Sequence, residues 1–251
     1  MSSTGVRVSS LIRLSPAETL KVEKFIRCNG AAGVESAARE TAAITARDGP
    51  RVDPWAYCIG VHNGNLARAA TLFPLLHLLE NSLRARIDFY LSQSLAGAAW
   101  YRSPSGYLSP SSAGNLVRYE SCSGVQDRTA SAQGPWPIKP FPSGTEFLEH
   151  VPFWVIVDIV NHNLRGPLRW LFTADNTRPP VAPTRVATIL LNVHDCRNEI
   201  AHHRGVRLSL YTTTALGLNE LLEALEFDVA RAGRRVMDLV EVWLKAFPNP
   251  A

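Results

Sequence analysis

Within two helical turns the chain gathers an arginine, an amide, a carboxylate and two histidines in the string Arg197-Asn198-Glu199-Ile200-Ala201-His202-His203, followed by Arg204 and Gly205. Histidine suits proton transfer because its unperturbed pKa, about 6.5, lies near neutrality. Arginine suits phosphate, since its planar fork keeps its charge and donates two parallel hydrogen bonds to phosphate oxygens. Together such side chains could pass protons to and from a reacting group and hold an anion beside it.

Helical geometry limits how the string can be used. Residues five apart, such as Arg197 and His202, are rotated by about 140° and separated by a rise of about 7.5 Å, so they do not share one face. A long arginine can bridge that gap. By periodicity alone His203, six residues on, reaches the same phosphate equally well. Asn198 stands four residues before His202 and Glu199 four before His203, where each could orient its histidine. The plainer alternative is a solvated, charge-laced helix end.

Several elements must position these residues. A helix from about Thr184 places Ile189, Val193, Cys196 and Ile200 on one apolar stripe, and Gly205 supplies its stop. An extended piece, Val206 to Tyr211, and a final helix or helix pair from about Thr213 to Phe247 follow, with Gly217 and Gly233 as weak points. Upstream, between Asn65 and Ser94, the positions Leu72, Leu76, Leu79, Leu83, Ile87 and Tyr90 mark the best helix of the chain, which begins or bends at Pro74. Glu80, Arg84 and Asp88 form an acid–base–acid ladder along it. Ser15-Pro16-Ala17-Glu18 reads as a helix start, leading to a helix from Pro16 to about Arg27, and Gly30 to Ala46 favours another. Phe147 to Asn163 is read as one helix, broken at Gly166-Pro167 before Leu168 to Phe172. A long loop is expected between about 97 and 144, because Gly134 to Pro142 cannot form an internal helix; it is either a functional flap or an insertion carrying a short helix around Leu116 to Tyr119. Trp136 in that loop could pack locally or stack on a base.

Composition narrows the class. With 46% hydrophobic and 19% charged residues the 251-residue chain reads as globular. A net charge of +4 permits a polyanionic partner without requiring one. Cys28, Cys58, Cys122 and Cys196 show no CxxC pair, which argues against a disulfide framework or a thiolate zinc site and fits a reducing cytoplasm. No metal-ligand spacing includes His194, Asp195, Cys196 and His202, so no metal and no cofactor are expected. Gly60 to Asn65 carries no phosphate-loop or dinucleotide fingerprint. No secretion signal and no membrane span are expected either.

The string RNEIAHH with its preceding apolar helix resembles the RxxxxH signature of HEPN domains, in the version of the abortive-infection-like family. Leu78-Leu79-Glu80-Asn81-Ser82-Leu83-Arg84-Ala85-Arg86-Ile87 is similar to that family's early helix, and Val151-Pro152-Phe153-Trp154-Val155 to its middle helix. The chain departs from the family at Asp158 to Trp170, which lacks a Phe-Gly-Phe-Trp-like string, and at Arg204-Gly205, where Glu-Pro often follows the histidines. The resemblance implies an all-α, up-and-down HEPN-type bundle spanning 1–251 as a single domain, with a helical extension at 1–62, a core at 63–210 and C-terminal helices at 211–251. It implies a metal-independent endoribonuclease acting as a homodimer on RNA, in bacterial anti-phage abortive infection as a toxin-like defence, with an unidentified activating or neutralising partner. It singles out His202 as acid or base and Arg197 as phosphate clamp; Asn198, Glu199, His203, Glu80 and Arg84 are supporting or alternative residues. The rival expectation is a non-catalytic HEPN module that binds RNA, a nucleotide or a partner protein through the same surface.

Overall fold

The computed structural model describes residues 3–95, 97–102, 104–122, 141–173, 181–202 and 205–226. Among them all regular structure is helical: α1 (Ser3–Leu11), α2 (Pro16–Asn29), α3 (Ala31–Asp48), α4 (Pro54–Ser94), α5 (Pro110–Cys122), α6 (Gly144–His150), α7 (Phe153–Asn163), α8 (Pro183–Ala201) and α9 (Leu208–Ala224), with 3-10 turns at Gly97–Arg102 and Pro104–Gly106. None of these helices is long and apolar enough to cross a membrane. The described residues fall into two compact units interleaved in sequence, one within 3–75 and 195–216, the other within 76–194 and 217–226.

In the first unit α1, α2 and α3 pack on one another. Ser15 starts α2 with a reciprocal capping box: its hydroxyl accepts from the Glu18 amide while the Glu18 carboxylate accepts from the Ser15 amide at 2.8 Å, relieving two of the helix's unpaired N–H groups. Val8, Ile12, Val22, Val34, Ala37 and Ala38 form the core with Trp55 and Cys58 of α4. Two adjacent alanines at full burial let the helices approach closely, and each buried valine or isoleucine contributes about 1.5–3 kcal/mol. Helix α1 lies in a stretch for which the sequence offered no element; its Val8, like Ile12 just after it, is buried in the core shared with α2 and α3.

The second unit is built on the rest of α4, whose Leu76, Leu79, Leu83, Ile87 and Leu91 are at most 4% exposed. The stripe follows the expected period up to Ile87, and then Leu91 rather than Tyr90 takes the inner position. Helix α4 runs through Pro74 and begins at Pro54, earlier than expected. The expected loop over 97–144 contains, in its described part, the 3-10 turns and α5, which includes the short helix expected around Leu116 to Tyr119 but starts earlier, at Pro110. Asp158 of α7 accepts from both the amide and the hydroxyl of Ser109, each at 3.0 Å, and so anchors the start of α5 from another helix, a contact that local sequence cannot reveal. Trp100, Tyr101, Tyr107, Phe141 and Phe147 make an aromatic cluster, edge to face in most pairs, with the Trp100 indole donating to Asp88 at 2.8 Å. The single helix expected from Phe147 to Asn163 is two, because Pro152 forces Val151 into an extended conformation, φ −76° and ψ 146°. Leu168 to Phe172 forms turns rather than helix, although Leu168, Leu171 and Phe172 are buried.

Helix α8 occupies its expected place. The extended piece expected at 206–211 shrinks to 205–207, since α9 already begins at Leu208, with the Tyr211 amide donating to the Arg207 carbonyl at 2.8 Å. Gly217, expected to weaken α9, marks a close approach: a Cβ there would lie 2.6 Å from Cγ2 of Ile189. The C-terminal helix expected to continue to Phe247, with Gly233, and the Pro-rich stretch with Trp136 lie outside the described residues.

Candidate functional site

Helix α8 separates its faces sharply. Val186, Ile189, Leu190, Val193 and Cys196 are at most 1% exposed, whereas Ile200, expected in the same stripe, is half-buried near the helix end. Burial pushes the Cys196 thiol up to about 12, so it stays protonated at neutral pH and serves packing rather than nucleophilic or metal chemistry. On the opposite face Leu191, Asp195, Asn198 and His202 succeed one another at steps of four, three and four, with His202 exposed. The His202 amide donates to the Asn198 carbonyl at 3.0 Å, which extends the last turn of α8 and keeps His202 in line with Asn198.

Gly205 to Arg207 form a short bridge from α8 to α9, and that bridge is fastened to α4. Gly205 sits at φ +72°, and a Cβ on it would fall 2.7 Å from Cβ of Asn65, so glycine is required both by the backbone and by the approach. The Val206 amide donates to the Asn65 carbonyl at 3.1 Å and the Val206 carbonyl accepts from Nε of Arg68 at 2.7 Å. Arg68 also donates to the Asn65 side-chain oxygen, while the Asn65 amide group donates to Glu40 of α3 at 3.1 Å. Asn65 is fully buried, and its side chain is held from both ends.

Two adjoining cavities open on this bridge. One, of about 360 Å³, is lined by Asp195, Asn198, Glu199, His202, Arg207 and Leu210. The other, of about 610 Å³, runs beside α3, where Glu35, Ser36, Arg39 and Glu40 face Glu199 and Arg207. Glu199 and Arg207 line both. In the second cavity Arg7 and Arg39 hold the Glu35 carboxyl below the usual carboxylate range, chiefly through the Arg39 hydrogen bond at 2.6 Å. The sizes suit small-molecule or nucleotide-scale ligands.

The expected site residues are thus distributed unevenly. His202, Asn198 and Glu199 come together at one cavity. Arg197, half-buried, lines neither cavity, as the 140° rotation from His202 implies. His203 and Arg204 lie outside the described residues. Glu80 and Arg84 belong to the second unit, where Arg84 donates to Glu80 and, at 3.2 Å from each terminal nitrogen, to the Val151 carbonyl at the break between α6 and α7. Arg207 was not anticipated; the one hint in the sequence is a basic residue directly after the helix stop. Among the described residues no group of three or more His, Cys, Asp and Glu side chains is arranged to hold a metal ion. No family model, no curated protein and no solved structure matches the chain.

Proposed function

We propose that the chain is a metal-independent endoribonuclease of the HEPN type. The observation that carries this reading is the RNEIAHH string at the end of α8, the helix whose inner stripe is buried and whose outer face presents His202 to a cavity. The 2′-hydroxyl of the substrate attacks the adjacent phosphorus, its proton passing to a base; the bond to the 5′-oxygen breaks, and that oxygen takes a proton from an acid. The products are a 2′,3′-cyclic phosphate and a 5′-hydroxyl. His202 serves as the acid or the base, and Arg197 clamps the phosphate. Because Arg197 and His202 of one chain face different ways, the reading includes a homodimer in which Arg197 of a second copy meets His202 across the groove. Anti-phage abortive infection is the proposed setting, with RNA as substrate and an activating or neutralising partner.

A second reading is favoured by one feature, the placement of Arg197 outside both described cavities: a non-catalytic HEPN module that binds RNA, a nucleotide or a protein. Purified wild type, Arg197→Ala and His202→Ala are incubated with total RNA in excess EDTA. The nuclease reading expects cutting by the wild type and a loss of about 10²–10⁴-fold in each variant, the usual cost of removing a proton-transfer group or a fixed charge. Intact RNA with the wild type, under conditions where the protein is toxic to cells, would favour the binding module. Sedimentation of the same samples checks the dimer.

A further inference from the structure

Arg207 is placed with unusual care for an exposed side chain. It is the first residue after Val206, whose amide and carbonyl are both bonded to α4, and it precedes the first turn of α9, which its own carbonyl opens. Its backbone is therefore fixed on both sides while the guanidinium remains in solvent reach. It also stands where the two cavities adjoin, with His202 in one and the α3 wall in the other.

Charge sharpens the point. Asp195 and Glu199 line the His202 cavity and Glu35 and Glu40 the other, so a phosphate can sit here only where a cation stands directly against it. Among the described residues Arg207 is the arginine lining the His202 cavity, while Arg39 in the other is paired with Glu35. An arginine fork can bind two phosphate oxygens at once, and its charge does not depend on pH in any working range.

We propose that Arg207 binds the phosphate of a single-stranded RNA segment at the junction of the two cavities, with one flanking nucleotide beside His202 and the other along α3. This rests on the nuclease reading for its substrate but not for its geometry. In the reaction Arg207 makes no bond and moves no proton; it offsets the charge that gathers on the phosphorane oxygens while His202 handles a proton.

Full-length wild type, Arg207→Ala, Arg207→Lys and His202→Ala are compared in two assays: binding of a 2′-O-methyl oligoribonucleotide, which cannot be cut, across a salt series, and cutting of the unmodified strand in EDTA. Arg207→Ala is expected to weaken binding about tenfold or more and to reduce the salt slope by about one, the mark of one lost phosphate contact. Arg207→Lys should regain much of the binding but less of the cutting, since it restores charge without the fork. Thermal melting checks that each variant folds. Arg207→Ala that binds and cuts like wild type, while His202→Ala does not cut, overturns the role of Arg207 and leaves the nuclease reading standing. A wild type that never cuts but loses binding on Arg207→Ala supports the phosphate site and overturns the nuclease reading. A wild type that neither binds nor cuts overturns both.

Discussion

Arg68 and Arg84 lie on one helix, and each holds a backbone carbonyl far away in sequence: Arg68 that of Val206 at 2.7 Å, Arg84 that of Val151 at 3.2 Å. Each has a polar neighbour on α4, Asn65 for the first and Glu80 for the second. The difference lies in what the held segment carries. Val151 sits at a helix break inside the aromatic-rich second unit, so Arg84 fixes packing. Val206 leads directly to Arg207 at the junction of two cavities, so Arg68 fixes a surface. The same chemistry on the same helix therefore serves structure in one unit and candidate function in the other, and the local residues do not tell them apart.

The largest effect on stability should come from breaking the second fastening. Arg84 and Glu80 have side chains only 14% and 15% exposed. Arg84→Ala strands a partly buried carboxylate and a carbonyl, at a cost of about 3 kcal/mol. Denaturant titration measures the loss; RNA binding per folded molecule is expected to stay at the wild-type level, and a drop there with folding intact would mean that Arg84 serves the site as well.

Gly205→Ala tests the first fastening from the other side. The new methyl meets Asn65 and the backbone stays at positive φ, so about 2 kcal/mol of stability should be lost. Thermal melting reads this directly, and an unchanged melting temperature would show that the bridge is not tightly held.

Arg68→Gln removes the bond to the Val206 carbonyl and should cost less, about 1–2 kcal/mol. Its effect on RNA binding should exceed its effect on stability, because the released bridge no longer fixes Arg207. If Arg68→Gln and Arg84→Ala weaken RNA binding equally at matched folding, the contrast between the two fastenings collapses.

The smallest effect concerns pH. His62, on α4 less than one turn before Asn65, is buried with its ring at 5.6 Å from that of Phe25, and burial lowers its pKa from the ordinary 6.5. The unfolded chain takes up a proton near 6.5 while the folded one resists, so stability should fall as pH drops below about 6.5 and be unaffected by this group above it. Between pH 7.5 and 5.5 the denaturation midpoint of the wild type should fall more than that of His62→Leu; parallel curves would assign the acid sensitivity elsewhere.

Much of the helical content was legible because it is local. The Ser15 box, the stripe of α4 up to Ile87 and the inner face of α8 each follow from spacing over a few turns, where side chains meet by helical period alone. Helix α5 was legible only as a short helix around Leu116 to Tyr119; its start, anchored by Asp158 from α7, was not, and the break at Val151 was overlooked although Pro152 signals it. At the candidate site, His202 with Asn198 and Glu199 could be read from steps of three and four. The 140° between Arg197 and His202 could be read too, although a long arginine was expected to bridge it, and Arg197 lines neither of the two described cavities.

What the sequence determined by itself is the crowded end of α8: a buried stripe on one side, His202 on the other, and a glycine to stop the helix. Helical period sets those relations whatever surrounds them. Only the tertiary structure decided that Gly205 and Val206 are fastened to Asn65 and Arg68, and that Arg207 thereby joins His202 at one cavity. Those partners are separated by most of the chain, and no spacing rule links residues whose meeting depends on how distant helices pack.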